Sequence, residues 1–150
     1  MFCFHPVKYF YVWRLVFRHR NLGGIWVYPR NDEAIAARFA EALQIIERLD
    51  LSGFVRRSIY GVIFIDPEKQ KVDMVYRNAR AVIVRDSYAK DYSTLHLASL
   101  LMKWAGVIAF RYPYSSPEAR KFQLDFLRKV DTGEARELID FLASQWEIDS

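Results

Sequence analysis

The 150-residue sequence lacks most features that mark secreted, membrane-spanning or metal-rich proteins. Its only cysteine is Cys3, which excludes an internal disulfide and any cysteine-rich zinc site. No apolar run reaches the ~18 residues that a membrane-spanning helix needs, because Lys103 interrupts the longest candidate. The N-terminal stretch has no clean apolar core and no small-residue cleavage site, so we expect no signal peptide. These absences predict a cytoplasmic protein, with peripheral attachment to a membrane as an alternative.

Motifs for common cofactors are also missing. The sequence has no glycine-rich phosphate loop, no paired-carboxylate site and no nucleotide fingerprint. Cys3, His5 and His19 could in principle bind a metal, but their spacing matches no metal motif, and we interpret them as free surface groups. The sequence therefore predicts no cofactor and no metal.

Acidic residues are absent from positions 1–31, so the net charge of +4 comes from the N-terminal segment. We assign a basic surface to Lys8, Arg14, Arg18 and Arg20, which are interleaved with many aromatic rings. This mixture is typical of an arm that contacts nucleic acid or an anionic membrane. The other interpretation is an element that packs on the domain while its arginines reach water. This interpretation is favoured, because exposing so many aromatic rings to water is costly.

Periodicity and turn residues predict one α+β domain, with residues 1–30 as the N-terminal segment and residues 31–150 as the core. We expect a small, mostly antiparallel sheet packed against a buried central helix and flanking helices. Asn21 to Gly24 is predicted as a turn, Asn31 as the cap of a helix reaching Leu49, and Ser52-Gly53 as the start of a loop. The predicted strands are 25–28, 59–65, 72–76 and 81–84, and the later predicted helices are 93–110, 117–130 and one beginning near 131.

The helix over 93–110 is apolar on nearly every side, as expected for a helix buried all round. Its exceptions are His96, Ser99, Lys103 and Gly106, whose spacing of three, four and three residues puts them on one face. Such a stripe lines either a binding site or a seam of satisfied polar groups.

The stretch LHLASLLMKWAGV in this helix resembles the active-site helix of minimal gluzincin-type metallopeptidases, which reads roughly L-A-S-x-L-x-H-E-x-x-H. In that motif two histidines bind zinc and the glutamate is the general base. Lys103 and Val107 occupy the two histidine positions and Trp104 the glutamate position. Downstream, Glu118 stands at the position of the third ligand, with Gln123, Phe126 and Leu127 matching its surroundings.

The resemblance implies a zincin-like fold that has lost its zinc chemistry, and hence a pseudoenzyme that binds a protein or peptide. We expect the old cleft to be lined by His96, Ser99, Lys103 and Glu118, with the lysine replacing the zinc charge beside Glu118. Alternatively, Glu118 only completes a capping box with Ser115. A further alternative is a Ser/Lys hydrolase, in which Lys103 activates Ser99 one turn away.

Overall fold

The computed structural model describes residues 20–29, 32–66, 68 and 73–149, with the side chains of 148 and 149 excepted. The predicted basic surface at Lys8, Arg14 and Arg18 lies outside these residues, as do Cys3, His5 and His19. Of that surface only Arg20 is described, and its guanidinium forms a salt bridge with Glu33.

Strands and helices occur in blocks along the described chain, as two strands, two helices, three strands and four helices. The strands are β1 (Arg20–Leu22), β2 (Ile25–Tyr28), β3 (Gly61–Ile65), β4 (Met74–Tyr76) and β5 (Ala81–Arg85). The helices are α1 (Glu33–Arg48), α2 (Ser52–Ser58), α3 (Ser87–Lys90), α4 (Thr94–Phe110), α5 (Pro117–Val130) and α6 (Gly133–Asp149). The predicted α+β class is confirmed.

The sheet is mixed rather than mostly antiparallel. Its strand order is β1-β2-β3-β5-β4, and β2, β3 and β5 run parallel, while β1 and β4 are antiparallel at the two ends of the described sheet. The helices α1 and α2 connect β2 to β3, and such a crossover returns the chain to a parallel position. Residues 20–28, which the sequence analysis placed in the N-terminal segment, therefore belong to the sheet.

The central parallel strands are apolar on both faces. On one face Val27, Val62 and Val82 pack in the main core with the helices. On the other face Tyr28, Ile63 and Ile83 form a second cluster that includes no residue of a described helix. Strands buried on both sides read as continuous apolar runs, which is why β3 and β5 were easy to predict.

Helix α4 is the centre of the main core, as its sequence predicted. Its N-cap is Ser93, whose Oγ accepts a hydrogen bond from the His96 backbone N–H at 3.1 Å. Nearly every residue from Leu95 to Ile108 is buried. The helix ends at Arg111, which has a left-handed φ of 58°, and a short loop leads into α5. None of the described helices combines the length and apolar character that a membrane span requires.

Several local predictions need correction. Helix α1 is capped by Asp32 rather than Asn31, because the Asp32 carboxylate accepts a hydrogen bond from the Ala34 backbone N–H at 2.9 Å. The predicted loop at Ser52-Gly53 is the first turn of α2, which is held in place by the fully buried Val55. The predicted turn at 21–24 consists only of Gly23 and Gly24, because Asn21 and Leu22 pair with β2.

The cap of α5 differs from the prediction by one residue. The N-cap of α5 is Ser116, whose Oγ accepts from the Ala119 N–H at 3.2 Å, so the predicted Ser115–Glu118 capping box is wrong. Helix α6 is capped by Thr132 through the Ala135 N–H at 3.1 Å. The cap of α5 differs from the prediction because the adjacent residues Ser115 and Ser116 offer the same hydroxyl acceptor.

Candidate functional site

The three positions that align with the zinc motif lie inside the protein. Lys103 is 9% exposed, Trp104 0% and Val107 1%. The Trp104 indole N–H donates a hydrogen bond to the Tyr114 hydroxyl at 3.1 Å. Trp104 is therefore a core residue bonded to the loop before α5.

The polar stripe of α4 packs against α5. Ser99 is fully buried, and its Oγ donates to the His96 carbonyl at 2.7 Å and accepts from the Gln123 amide at 3.0 Å. Gly106 allows close approach, because a Cβ there would lie 2.6 Å from Cδ1 of Phe122. We call His96, Ser99, Lys103 and Gln123 the polar seam. At Ser99 and Gln123 it is a set of satisfied buried groups rather than an open cleft.

His96 lies at one end of this seam. Its ring stacks on Tyr92 with centroids 4.3 Å apart and planes 7° from parallel. Burial lowers the pKa of His96 to about 4, so the imidazole is neutral at pH 7. A neutral, stacked ring is typical of a packing residue.

Lys103 does not form the expected ion pair with Glu118. Glu118 is exposed in the first turn of α5, and no salt bridge joins the two described residues. Lys103 instead places its ammonium 4.4 Å from the centre of the Tyr114 ring. The pKa of Lys103 is lowered to about 8, first by burial and then by repulsion from Arg120, while attraction by Asp73 opposes both.

A buried hydrogen-bond network around Asp73 was not predicted from the sequence. Its carboxylate accepts from the hydroxyls of Tyr88 at 2.5 Å and Tyr114 at 3.2 Å, and Arg85 donates to the Tyr88 hydroxyl at 2.6 Å. Burial is the first cause that raises the pKa of each tyrosine, so both hydroxyls stay protonated and donate. The network ties the residue before β4 to α3 and to the loop before α5. Asp73, Tyr88 and Tyr114 lie far apart in sequence, and no local spacing connects these three residues.

Two atoms of this network are not fully satisfied. Asp73 Oδ1 and Arg85 Nε lie 3.6 Å apart as a salt bridge, and within the described residues neither forms a hydrogen bond. No group of three histidine, cysteine, aspartate or glutamate side chains in the described chain is placed to hold a metal ion.

The arrangement gives no support to a Ser/Lys hydrolase. The Ser99 hydroxyl is bonded to a backbone carbonyl and to Gln123, and no hydrogen bond joins it to Lys103. A nucleophile must also be reached by its substrate, whereas Ser99 is 0% exposed.

Met102 and Phe110 of α4 contribute to an open apolar groove of about 560 Å³ between α2, α4 and α5. Phe110 is 52% exposed, stacks on Phe54 with centroids 5.8 Å apart, and meets Phe122 edge-on at 5.6 Å. We call this site the aromatic groove; it is lined by Leu51, Phe54, Met102, Phe110, Phe122 and Phe126, with Asp125 and Lys129 at its rim.

Helical spacing explains how the sequence builds this groove. On α4, Met102 and Phe110 are eight residues apart, and on α5, Phe122, Phe126 and Lys129 follow at four and three residues. Sequence analysis assigned Phe110 to the buried helix, since nothing local distinguishes the last exposed turn from the buried ones. The residue that could have indicated the groove is Phe54, the single aromatic residue in a stretch that the sequence analysis interpreted as a loop.

The charges at the rim are not balanced within the described chain. Asp125 forms salt bridges with Arg128 at 2.8 Å and with Lys121 at 3.9 Å. Lys129 is exposed and has no carboxylate of the described residues within salt-bridge distance. Counted with Lys121 and Arg128, the rim has three cations and one carboxylate, and its net charge is positive.

Comparison of the chain with protein-family models, with curated proteins and with solved structures finds no match. The function has to be argued from the chain's own residues.

Proposed function

We propose that this protein is a non-catalytic domain that binds an amphipathic segment of a partner protein in the aromatic groove. The observation that carries the proposal is Phe110, a large apolar side chain half exposed beside other rings at the edge of an open groove. Contiguous exposed apolar surface is costly in water and marks interaction sites on soluble proteins. Burial of Phe110 by a partner would remove that cost.

The shape and chemistry of the groove favour a helical peptide. Its floor includes Met102, a side chain that adapts to different ligand shapes, and its walls are aromatic, as at the centres of protein interfaces. A groove between packed helices accepts the apolar face of an amphipathic helix through anchors at i, i+3 or i+4, and i+7. The net positive rim at Lys129 selects acidic residues beside those anchors.

The resemblance to zinc metallopeptidases supports the non-catalytic part of the proposal. Lys103, Trp104 and Val107 occupy the three chemical positions, and neither tryptophan nor valine can serve as a general base or a metal ligand. On this proposal the domain retains a zincin-like scaffold as a pseudoenzyme. The proposed binding surface is the aromatic groove at the C-terminal end of α4, rather than the predicted cleft at His96, Ser99, Lys103 and Glu118.

A selection experiment with a peptide library tests the proposal. A display library of random helical peptides would be selected against the purified wild-type protein alone, and the enriched peptides would then be measured against Phe110→Ser. We expect the enriched peptides to have large apolar residues at helical spacing with acidic residues beside them. Their affinity for Phe110→Ser should fall at least about tenfold, or about 1.4 kcal/mol, which is the scale of a lost anchor residue.

Phe141 provides a matched control. It is 53% exposed on α6, the same as Phe110 within a percent, but it does not line the groove. The variant Phe141→Ser should bind the selected peptides as tightly as the wild type. Peptides that lose affinity equally for both variants, or that show no apolar periodicity, would contradict the proposal.

A further inference from the structure

The cations Lys103 and Arg120 lie on facing turns of α4 and α5. A short loop joins these two helices, so they pack side by side in opposite directions. The hydrogen bond from Gln123 to Ser99 fixes their register. Lys103 lies one turn after Ser99 on α4, and Arg120 lies about one turn before Gln123 on α5. Because the two helices run in opposite directions, this register brings the two cations together.

Neither cation has a carboxylate partner among the described residues. Lys103 contacts the Tyr114 ring, and the guanidinium of Arg120 lies 5.3 Å from the centre of the Trp146 ring. No salt bridge is formed by either residue within the described chain. Glu118, the nearest acidic residue in sequence to Arg120, is exposed on the first turn of α5.

Asp73 does not neutralise Lys103. Its carboxylate is engaged by Tyr88, Tyr114 and Arg85, and it lies beyond salt-bridge distance from the Lys103 ammonium. The repulsion from Arg120 affects the pKa of Lys103 more than the attraction from Asp73 does. Two neighbouring cations, one of them nine-tenths buried, are therefore held together without an internal counter-ion among the described residues.

We infer that Lys103 and Arg120 form a binding site for a small oxyanion, a carboxylate or phosphate group, between α4 and α5. A guanidinium donates two parallel hydrogen bonds to such a group, and an ammonium adds a point charge. Arg120 is only partly buried, so the anion enters from its side. The contact with the Trp146 ring orients the Arg120 guanidinium. The proposed anion site is independent of the aromatic groove.

The test is a titration of Lys103 by NMR, with lysine labelled at Cε, because the Cε shift reports protonation of the ammonium. Titrations would be run in chloride, in inorganic phosphate and in acetate at equal ionic strength. We expect a bound anion to raise the pKa of Lys103 from its anion-free value of about 8. If the anion binds at least about tenfold more tightly when Lys103 is charged than when it is neutral, the pKa of Lys103 rises by about one.

The arms of the experiment identify the anion and can overturn the inference. A rise in phosphate alone assigns a phosphate site, and a rise in acetate as well assigns a general carboxylate or phosphate site. An unchanged titration in both anions overturns the inference. Arg120→Gln should weaken phosphate binding at least fivefold, whereas Lys121→Gln, an exposed neighbour, should leave it unchanged; equal binding by Arg120→Gln and wild type would also overturn it.

Discussion

Helix α4 contacts two regions of opposite character. In the polar seam, Ser99 and Gln123 satisfy each other in a buried interface with α5. In the aromatic groove, at the C-terminal end of the helix, Phe110 leaves half of its apolar surface in water. The polar residues, which look functional in the sequence, are largely used by the fold, whereas the apolar residue, which looks structural, is available to a partner. For Ser99 and Phe110, exposure is therefore a better guide to a binding site than residue type.

The largest expected effect comes from the buried side. Trp104→Ala removes a fully buried indole that also donates to Tyr114, so we expect a loss of about 3–5 kcal/mol in the free energy of unfolding. Urea denaturation followed by circular dichroism measures this loss. Trp104→Phe, which keeps an aromatic ring, should cost less than half as much. A loss below about 1 kcal/mol for the alanine variant would show that the motif helix is not the centre of the core.

The next effect is a dependence of stability on pH through Lys103. The pKa of Lys103 in the folded protein is about 8, which is lower than its ordinary value of 10.5. Below pH 8 the lysine is charged in both states, and its burial lowers the free energy of unfolding by the full amount. This destabilisation disappears as the pH rises from 8 to 10.5. Stability should increase by up to about 3 kcal/mol across this window. Above pH 10 the buried Tyr88 and Tyr114 reverse the trend, because their folded pKa values are raised and the unfolded chain ionises first.

The variant Lys103→Met isolates this contribution. Arg120, Asp73 and Tyr114 are the charged and titratable groups that face Lys103, and all three stay in place. In amine buffers with chloride as the anion, Lys103→Met should be more stable than wild type at pH 7 and should lose the rise above pH 8. A rise that persists in the variant would assign the effect to another group.

Close helix packing at Gly106 gives a smaller effect. Gly106→Ala places a methyl 2.6 Å from the Phe122 ring, so we expect a loss of about 1–2 kcal/mol after the better helix propensity of alanine is subtracted. Gly133→Ala is the matched control, since a Cβ there meets nothing within 4 Å. Thermal or urea unfolding that ranks the two variants equally would contradict the close contact between α4 and α5.

The smallest effect is expected on the groove side. Phe110→Ser should change the free energy of unfolding by less than about 1 kcal/mol, since much of the ring is already in water, and Phe141→Ser should behave alike. The pair therefore separates binding from stability. A large destabilisation by Phe110→Ser would assign that ring to the fold rather than to a partner.

Sequence patterns predicted the long elements and missed the contacts between them. The α+β class, the central helix with its Ser93 cap and the bounds of α5 follow from periodicity and capping residues. The parallel centre of the sheet does not, because strand direction depends on how α1 and α2 return the chain. The Asp73 network and the Lys103–Arg120 pair depend on register between distant elements, which no local spacing encodes. The zincin resemblance stays a prediction.

The most direct test of the account uses methionine methyl groups as reporters. Met102 lines the floor of the aromatic groove, whereas Met74 contacts the cluster on the opposite face of the sheet. With methyl-labelled methionine, addition of a selected acidic amphipathic peptide should shift the Met102 methyl resonance and leave Met74 unchanged. A peptide that binds with a shift at Met74 and none at Met102 would contradict the assignment of the aromatic groove as the binding site.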